Sequence, residues 1–454
     1  MSDAPAGQRG PDRLGPFATV SSLVLDAPLP RLLRVRRTAE PAAPVDVAHL
    51  VSAALEPACD RLTPGESIAI TAGSRGIASA PQIYREIGRL LTRHGARPFL
   101  VAAMGSHGGG TAHGRIELLA HLGVTPDSVE MPVVSSDDFV AVATSPSGPV
   151  LAAHEAADAD HILAVNRVKP HTDFHGRIES GLAKILAIGL AGPPGAKSAH
   201  DSGPELLGTR IVERADALNA TGKVLGGLAV LESAQHELAA IRFVEPAGIG
   251  HDAEAELLAQ ARNQLARLPF AHVDVLVVET LGKDVSGAGM DPNVLGRMRI
   301  ENVDEPASPR IGVVVALALT KATGGNAVGI GLADFTTVRV VESVDLASTY
   351  LNALTAGRGG IRRAALPIVL ATDRDAICAA LATCGQGDPA RRRLVLVADT
   401  LRLDELVVSE SLREDVDADP DLEIVDEIGT MAFDGRGTLR TTAREPLEQE
   451  GNRT

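Results

Sequence analysis

At 454 residues the chain is too long for one ordinary core and divides most naturally into two domains. A net charge of −15, from 43 Lys and Arg against 58 Asp and Glu, argues against nucleic acid or an anionic membrane as the main partner and leaves small-molecule work. Apolar residues make up 45% of the chain but aromatics only 2%, so the cores must be built from Ala, Val, Leu and Ile, which suits buried parallel strands under Ala-rich helices.

Residues 1–15 and 441–454, rich in Pro, Gly and charge, read as loose tails. Between them, β-branched runs alternate with amphipathic stretches. SIAITAG (67–73) precedes the helical 81–95, and PFLVAAMG (98–105) precedes a helix ending in ELLAHLG. Further strands are expected at 131–136, 161–168 and 223–232. After the helical 253–268, a second series opens at VDVLVVE (273–279) and continues through 311–319, 338–344, 367–373 and 394–400. The pattern predicts two α/β domains with mostly parallel sheets, residues 16–260 and 261–440, with the site in the cleft between them. The three cysteines, Cys59, Cys378 and Cys384, lack metal spacing and read as reduced thiols. The amino-terminal residues lack an apolar signal core, and no run approaches the roughly 18 apolar residues of a membrane span, so a soluble, cytoplasmic protein is expected.

In open α/β sheets ligands bind beyond the carboxyl ends of strands. The loops there carry Ser74 and Arg75; GSHGGGTAHGR (105–115), with His107 at the strand end; KPHTDFHGR (169–177), with His171 and His175; and TLGKDVSGAGMDPNVLGR (280–297), with Lys283. Lys184 lies in the otherwise apolar SGLAKILAIGLAG, where a lysine is either snorkelling or used, and His200 follows sixteen residues on. Glu179 and Asp173 have the plainer role of pairing with nearby bases. Zinc held by His171, His175 and His200, in a hydrolase, is one reading of these histidines.

On Ser74-Arg75, the GSH at 105–107, the histidine loop before SGLAK, and His200, the chain resembles the nickel-pincer lactate racemase family of 2-hydroxyacid racemases and epimerases. The resemblance implies a pyridinium mononucleotide joined covalently to Lys184 and gripping Ni²⁺, with His200 as the protein's nickel ligand and Ser74, Arg75 and Ser180 as further cofactor contacts. It implies His107 and His171 as acid and base, with His175 a competitor for the second role. Arg75 and Lys283 are implied for the substrate carboxylate. Its partners would be a small 2-hydroxyacid and the enzymes that build the cofactor, with no nucleic acid or membrane; a homo-oligomer stays open. The family's acidic residue three positions before the arginine is Ala72 here, which marks a divergent branch. A protein that keeps the scaffold and binds the cofactor or another small molecule without turnover is the second reading.

Overall fold

The computed structural model describes residues 27–38 and 45–444, apart from Arg75, Ser202 and Asn302; nothing is described of the side chains of His200 and Pro204. The chain forms two compact α/β units, one of Pro41–Ala266 and one that joins Met1–Glu40 to Arg267–Thr454. The first strand among the described residues is β1 (Arg31–Arg37). In the Pro41–Ala266 unit follow β2 (Ser67–Ala72), β3 (Arg97–Ala102), β4 (Val133–Val134), β5 (Phe139–Ser145), β6 (Gly148–Ala153), β7 (His161–Arg167), β8 (Val224–Glu232) and β9 (Leu238–Val244). Its six-stranded sheet has the order β4-β3-β2-β7-β8-β9, and β5 pairs with β6 as a separate hairpin. All neighbours in the large sheet are parallel except β8 and β9.

Both faces of this sheet are buried, and the strands show it residue by residue. Ile68, Ile70, Leu100, Leu163, Val165, Leu228 and Val230 point to one cluster with Ile83, Tyr84, Ile87 and Leu90 of the helix Ala80–Arg93. Ala69, Val101, Ile162, Ala164 and Ala229 point to the other, with Leu182, Leu186, Ile211 and Leu258. Each fully buried Leu or Ile contributes about 1.5–3 kcal/mol, and the period of two assigns alternate side chains to opposite faces.

In the other unit lie β10 (His272–Val278), β11 (Arg310–Ala316), β12 (Phe335–Thr337), β13 (Ile368–Leu370), β14 (Leu394–Val397), β15 (Glu405–Ser409) and β16 (Leu422–Thr430). Their sheet runs β13-β12-β11-β10-β14-β15-β1-β16, so β1 belongs here and not in a first domain of 16–260. Its Leu32, Leu33 and Val35 are buried, and Leu32 joins the core of Val275, Val277, Leu394 and Ile377. Two other expectations are corrected. The run 338–344 is not a strand: β12 ends at Thr337, whose side chain accepts from Val340 N and starts the helix Val338–Glu342. Residues 441–444 are not a loose tail: Ala443 is buried, its N–H donates to Glu279 Oε1 at 2.6 Å, and its carbonyl accepts from Arg34 at 2.8 Å. Residues 1–15 and 445–454 lie outside the described residues. No described helix is long and apolar enough to cross a membrane.

Candidate active site

In the Pro41–Ala266 unit the chain runs outward from β2 through β3 to β4, then returns to lay β7 and β8 on the other side of β2. The direction of winding therefore reverses between β2 and β7, and a crevice opens beyond the carboxyl ends of strands at such a point. The loops there are those of Ser74 and of His171, with that of His107 beside them on β3.

The β3 loop places His107 through its backbone. Gly105 has φ +56°, its N–H donates to Gly189 O at 3.0 Å, and a Cβ on it would lie 3.3 Å from Ala196. Gly108 has φ +65° and approaches Gly114 so closely that a Cβ would sit 2.7 Å from the Gly114 carbonyl carbon. Thr111 then caps the helix Ala112–His121 by accepting from Gly114 N. His107 Nδ1 lies 2.9 Å from Met104 O and 3.0 Å from Ser74 Oγ. A carbonyl only accepts, so Nδ1 carries the hydrogen and the lone pair of the neutral ring is on Nε2.

Glu179 organises the β7 loop. Lys169 and Ser180 bridge as antiparallel partners, closing the loop between them. Inside it the buried Glu179 carboxylate accepts from His171 N at 2.6 Å, Gly176 N at 3.0 Å and Arg262 Nη2 at 2.5 Å, with His175 Nδ1 at 3.4 Å. Burial would push this carboxyl up, but the hydrogen bonds from His175, His171, Gly176 and Arg262 outweigh it and hold the group below the usual glutamate range.

His171 is set by Phe174, whose ring centroid lies 4.5 Å away, and by Asp173 N–H, which donates to Nδ1 at 2.9 Å. The neutral ring therefore carries its hydrogen on Nε2, and Nε2 lies 2.5 Å from Lys184 Nζ. The contact joins the loop histidine directly to the lysine nitrogen.

Lys184 ends a short α-turn, Leu182–Lys184, and Ile185–Gly189 continue it as a π-turn. Such turns are rare and recur at functional sites. Glu254 holds the start of the segment, accepting from Ala183 N at 3.2 Å and Gly250 N at 2.8 Å. Its burial raises the carboxyl above the ordinary range, against the hydrogen bonds from Gly250, Ala183 and Leu182. Gly181 makes room for it, since a Cβ there would lie 2.1 Å from Glu254 Oε1. Asn166, at the end of β7, donates to Gly181 O at 2.7 Å.

Of the residues singled out in the sequence, Ser74 and His107 are thus in contact, as are His171 and Lys184. His175 faces Glu179 instead. Ser180 serves the Lys169 bridge through its backbone. His200 ends the helix Gly192–His200, and Arg75 lies outside the described residues. Lys283 belongs to the other unit, where its Nζ donates to Gly287 O at 2.7 Å. Among the described residues no three His, Cys, Asp or Glu side chains gather as a metal site. Both nitrogens of His171 are engaged within the protein, which does not favour the zinc arrangement. Glu254, Arg262 and Asn166 carry no motif that marks them; Glu254 and Arg262 join the site from a helix distant in sequence, Asn166 from the end of β7 itself.

No family model matches the chain, and no curated protein is similar to it in sequence. Among solved structures it is similar to the lactate racemase apoprotein from Thermoanaerobacterium thermosaccharolyticum, at 14% identity and a TM-score of 0.42, over 65% of this chain and 70% of that one. At that distance the reading of the site stands on its own geometry.

Proposed function

We propose that this chain is a racemase or epimerase of a 2-hydroxyacid, with Lys184 as the attachment point of a nickel-pincer pyridinium mononucleotide. The observation that carries the reading is the contact of Lys184 Nζ with His171 Nε2 beside the switch point of the sheet. An uncharged amine is the form of lysine that can be acylated, and the glycines at 181 and 189 let neighbouring groups close around it. Lys184 would hold the group covalently, Ser74 and Arg75 would contact it, and His200 would supply the protein's ligand to nickel, a metal that accepts imidazole beside soft sulfur. When bound, such a group supplies a reversible hydride acceptor for the substrate α-carbon.

The chain's own residues then handle the protons. His107, fixed through Nδ1 by Met104 O and Ser74, is the residue assigned to removal of the substrate hydroxyl proton. His171 presents a hydrogen on Nε2 and suits its return. With the group joined to Lys184, the lysine nitrogen would no longer accept a hydrogen bond, which would leave His171 Nε2 to serve the substrate. Arg75, in the loop that Ser74 opens, supplies a cation for the substrate carboxylate.

The test is co-expression with nickel and the cofactor-building enzymes, followed by the peptide mass spectrum around Lys184 and, for a panel of α-deuterated 2-hydroxyacids, the rate of inversion and the α-deuterium kept in the inverted product. The expected result is an adduct on Lys184 and solvent-independent inversion of at least one acid. His107→Ala and His171→Ala keep the adduct and lose about 10²–10⁴-fold in kcat, while His175→Ala retains most turnover. An unmodified Lys184 overturns the proposal. An adduct with no turnover on any acid leaves the cofactor-binding reading in its place.

A further inference from the structure

We propose that the face made by the helix Leu346–Thr355, the helix Gly357–Arg363 and the edge strand β13 pairs with the same face of a second copy of this chain. Leu346, Tyr350, Leu351, Leu354, Ile361, Leu366 and Ile368 are all more than half exposed, and Leu351 and Leu354 reach 71%. Leu346, Tyr350 and Leu354 recur at intervals of four with Leu351 beside them, so they share one side of their helix. The adjoining side is buried through Thr349 and Ala353. The second helix lies against the first, since a Cβ on Gly360 would fall 2.2 Å from Ala353 O. Monomers seldom leave an apolar patch larger than a few hundred Å² in water; seven such side chains present on the order of 800 Å², the area a standard interface takes from each partner.

Charge selects the occupant. Asp345 caps the amino end of the first helix, and the N–H of Ser348 holds its exposed carboxyl below the usual range, so it is ionised at neutral pH. Arg362, exposed, lies in the last turn of the second helix. A face that carries an anion on its first helix and a cation on its second can pair the two across a two-fold axis, which is the symmetry of most homodimers. The chain as a whole carries −15, so two copies repel elsewhere and this patch supplies both the apolar area and the opposed charges. The face also includes the open edge of the eight-stranded sheet, where β13 pairs on one side only.

Sedimentation velocity of the full chain over a range of concentrations tests this. A reversible dimer is expected. Leu351→Glu and Leu354→Glu should each raise its Kd at least tenfold with an unchanged far-ultraviolet spectrum, both side chains being solvent-exposed in the single copy. Arg362→Glu should weaken the dimer, and adding Asp345→Lys in the same chain should restore it, because both ends of the pairing are then reversed together. A chain that stays monomeric throughout, or a dimer indifferent to Leu351→Glu and Leu354→Glu, overturns the proposal. So does a monomer that co-sediments with phosphatidylglycerol vesicles through those leucines, which would assign the face to a lipid surface.

Discussion

Glu179 decides between the two histidines of the β7 loop. Its carboxylate is the common acceptor for the His171 amide, the Gly176 amide and Arg262, and it faces His175, so His175 is occupied in holding the loop while His171 is turned to Lys184. Because the folded carboxyl sits below the ordinary glutamate value, its ionised form stabilises the fold at pH above that value, and the contribution is lost as pH falls through the folded one. Glu179→Gln is therefore expected to cost about 2 kcal/mol at neutral pH, the worth of hydrogen bonds to a charged group. Denaturant midpoints measured from pH 8 downward should show a constant gap between the two proteins that narrows only below about pH 4. A gap that persists unchanged down to about pH 2 would mean that the carboxyl is not held below its ordinary value. From the sequence, Lys184 was legible as a misplaced charge in an apolar run, and the histidines as titratable groups beside glycines. Which histidine met the lysine was not legible, since both follow β7 within a few residues and only the folded loop assigns their partners. Glu254 and Arg262 come from a helix some eighty residues on, and nothing local to either predicts the contact.

At the scale of elements, the segment after Lys184 is the joint of the site. Ile185–Gly189 form a π-turn, and Gly189 O accepts from Gly105 N, which docks the His107 loop on the lysine segment. A Cβ at Gly189 would lie 2.6 Å from Ala103 O, a backbone atom at the end of β3 that cannot turn aside. Gly189→Ala is thus expected to destabilise by about 1–3 kcal/mol, as overpacking does, and to speed exchange of the Gly105 amide. Thermal melting together with amide exchange checks both, and an unchanged Gly105 amide would show that the two loops are held apart from this joint. The α-turn was readable from the sequence as part of an apolar helical run; the change to a π-turn was not, because it answers the approach of Ala103 and Gly105 from another strand. The same limit explains 338–344. Val338, Val340 and Val341 carry the β-branched signal of a strand, yet the cap from Thr337 and the short β12 before it make the run helical. Central parallel strands such as β2, β7 and β10 were legible because both faces are buried and the apolar run is nearly unbroken.

For the whole molecule, the decisive feature is that the sheet of the Arg267–Thr454 unit is completed from the beginning of the chain. β1 lies between β15 and β16 and pairs antiparallel with both, Leu33 opposite Val408 on one side and Glu427 on the other. Alternation in RLLRVRR is short and interrupted, so the strand left little trace in a search for unbroken apolar runs, and its partners are more than 360 residues away. Its removal would expose Leu32 and Val35 contacts in the core and leave β15 and β16 with facing unpaired edges. Residues 45–266 contain every strand of their own sheet and are expected to fold alone with a cooperative melt. Residues 267–454 alone are expected to aggregate or melt without cooperativity. Joining residues 27–38 after their carboxyl end by a flexible linker should restore a cooperative transition, since β1 needs only to reach its place between two strands. Circular dichroism melts of the three pieces check this. A fully cooperative 267–454 without β1 would show that the eight-stranded sheet closes β15 directly on β16, and that the amino-terminal strand is an addition to a finished core.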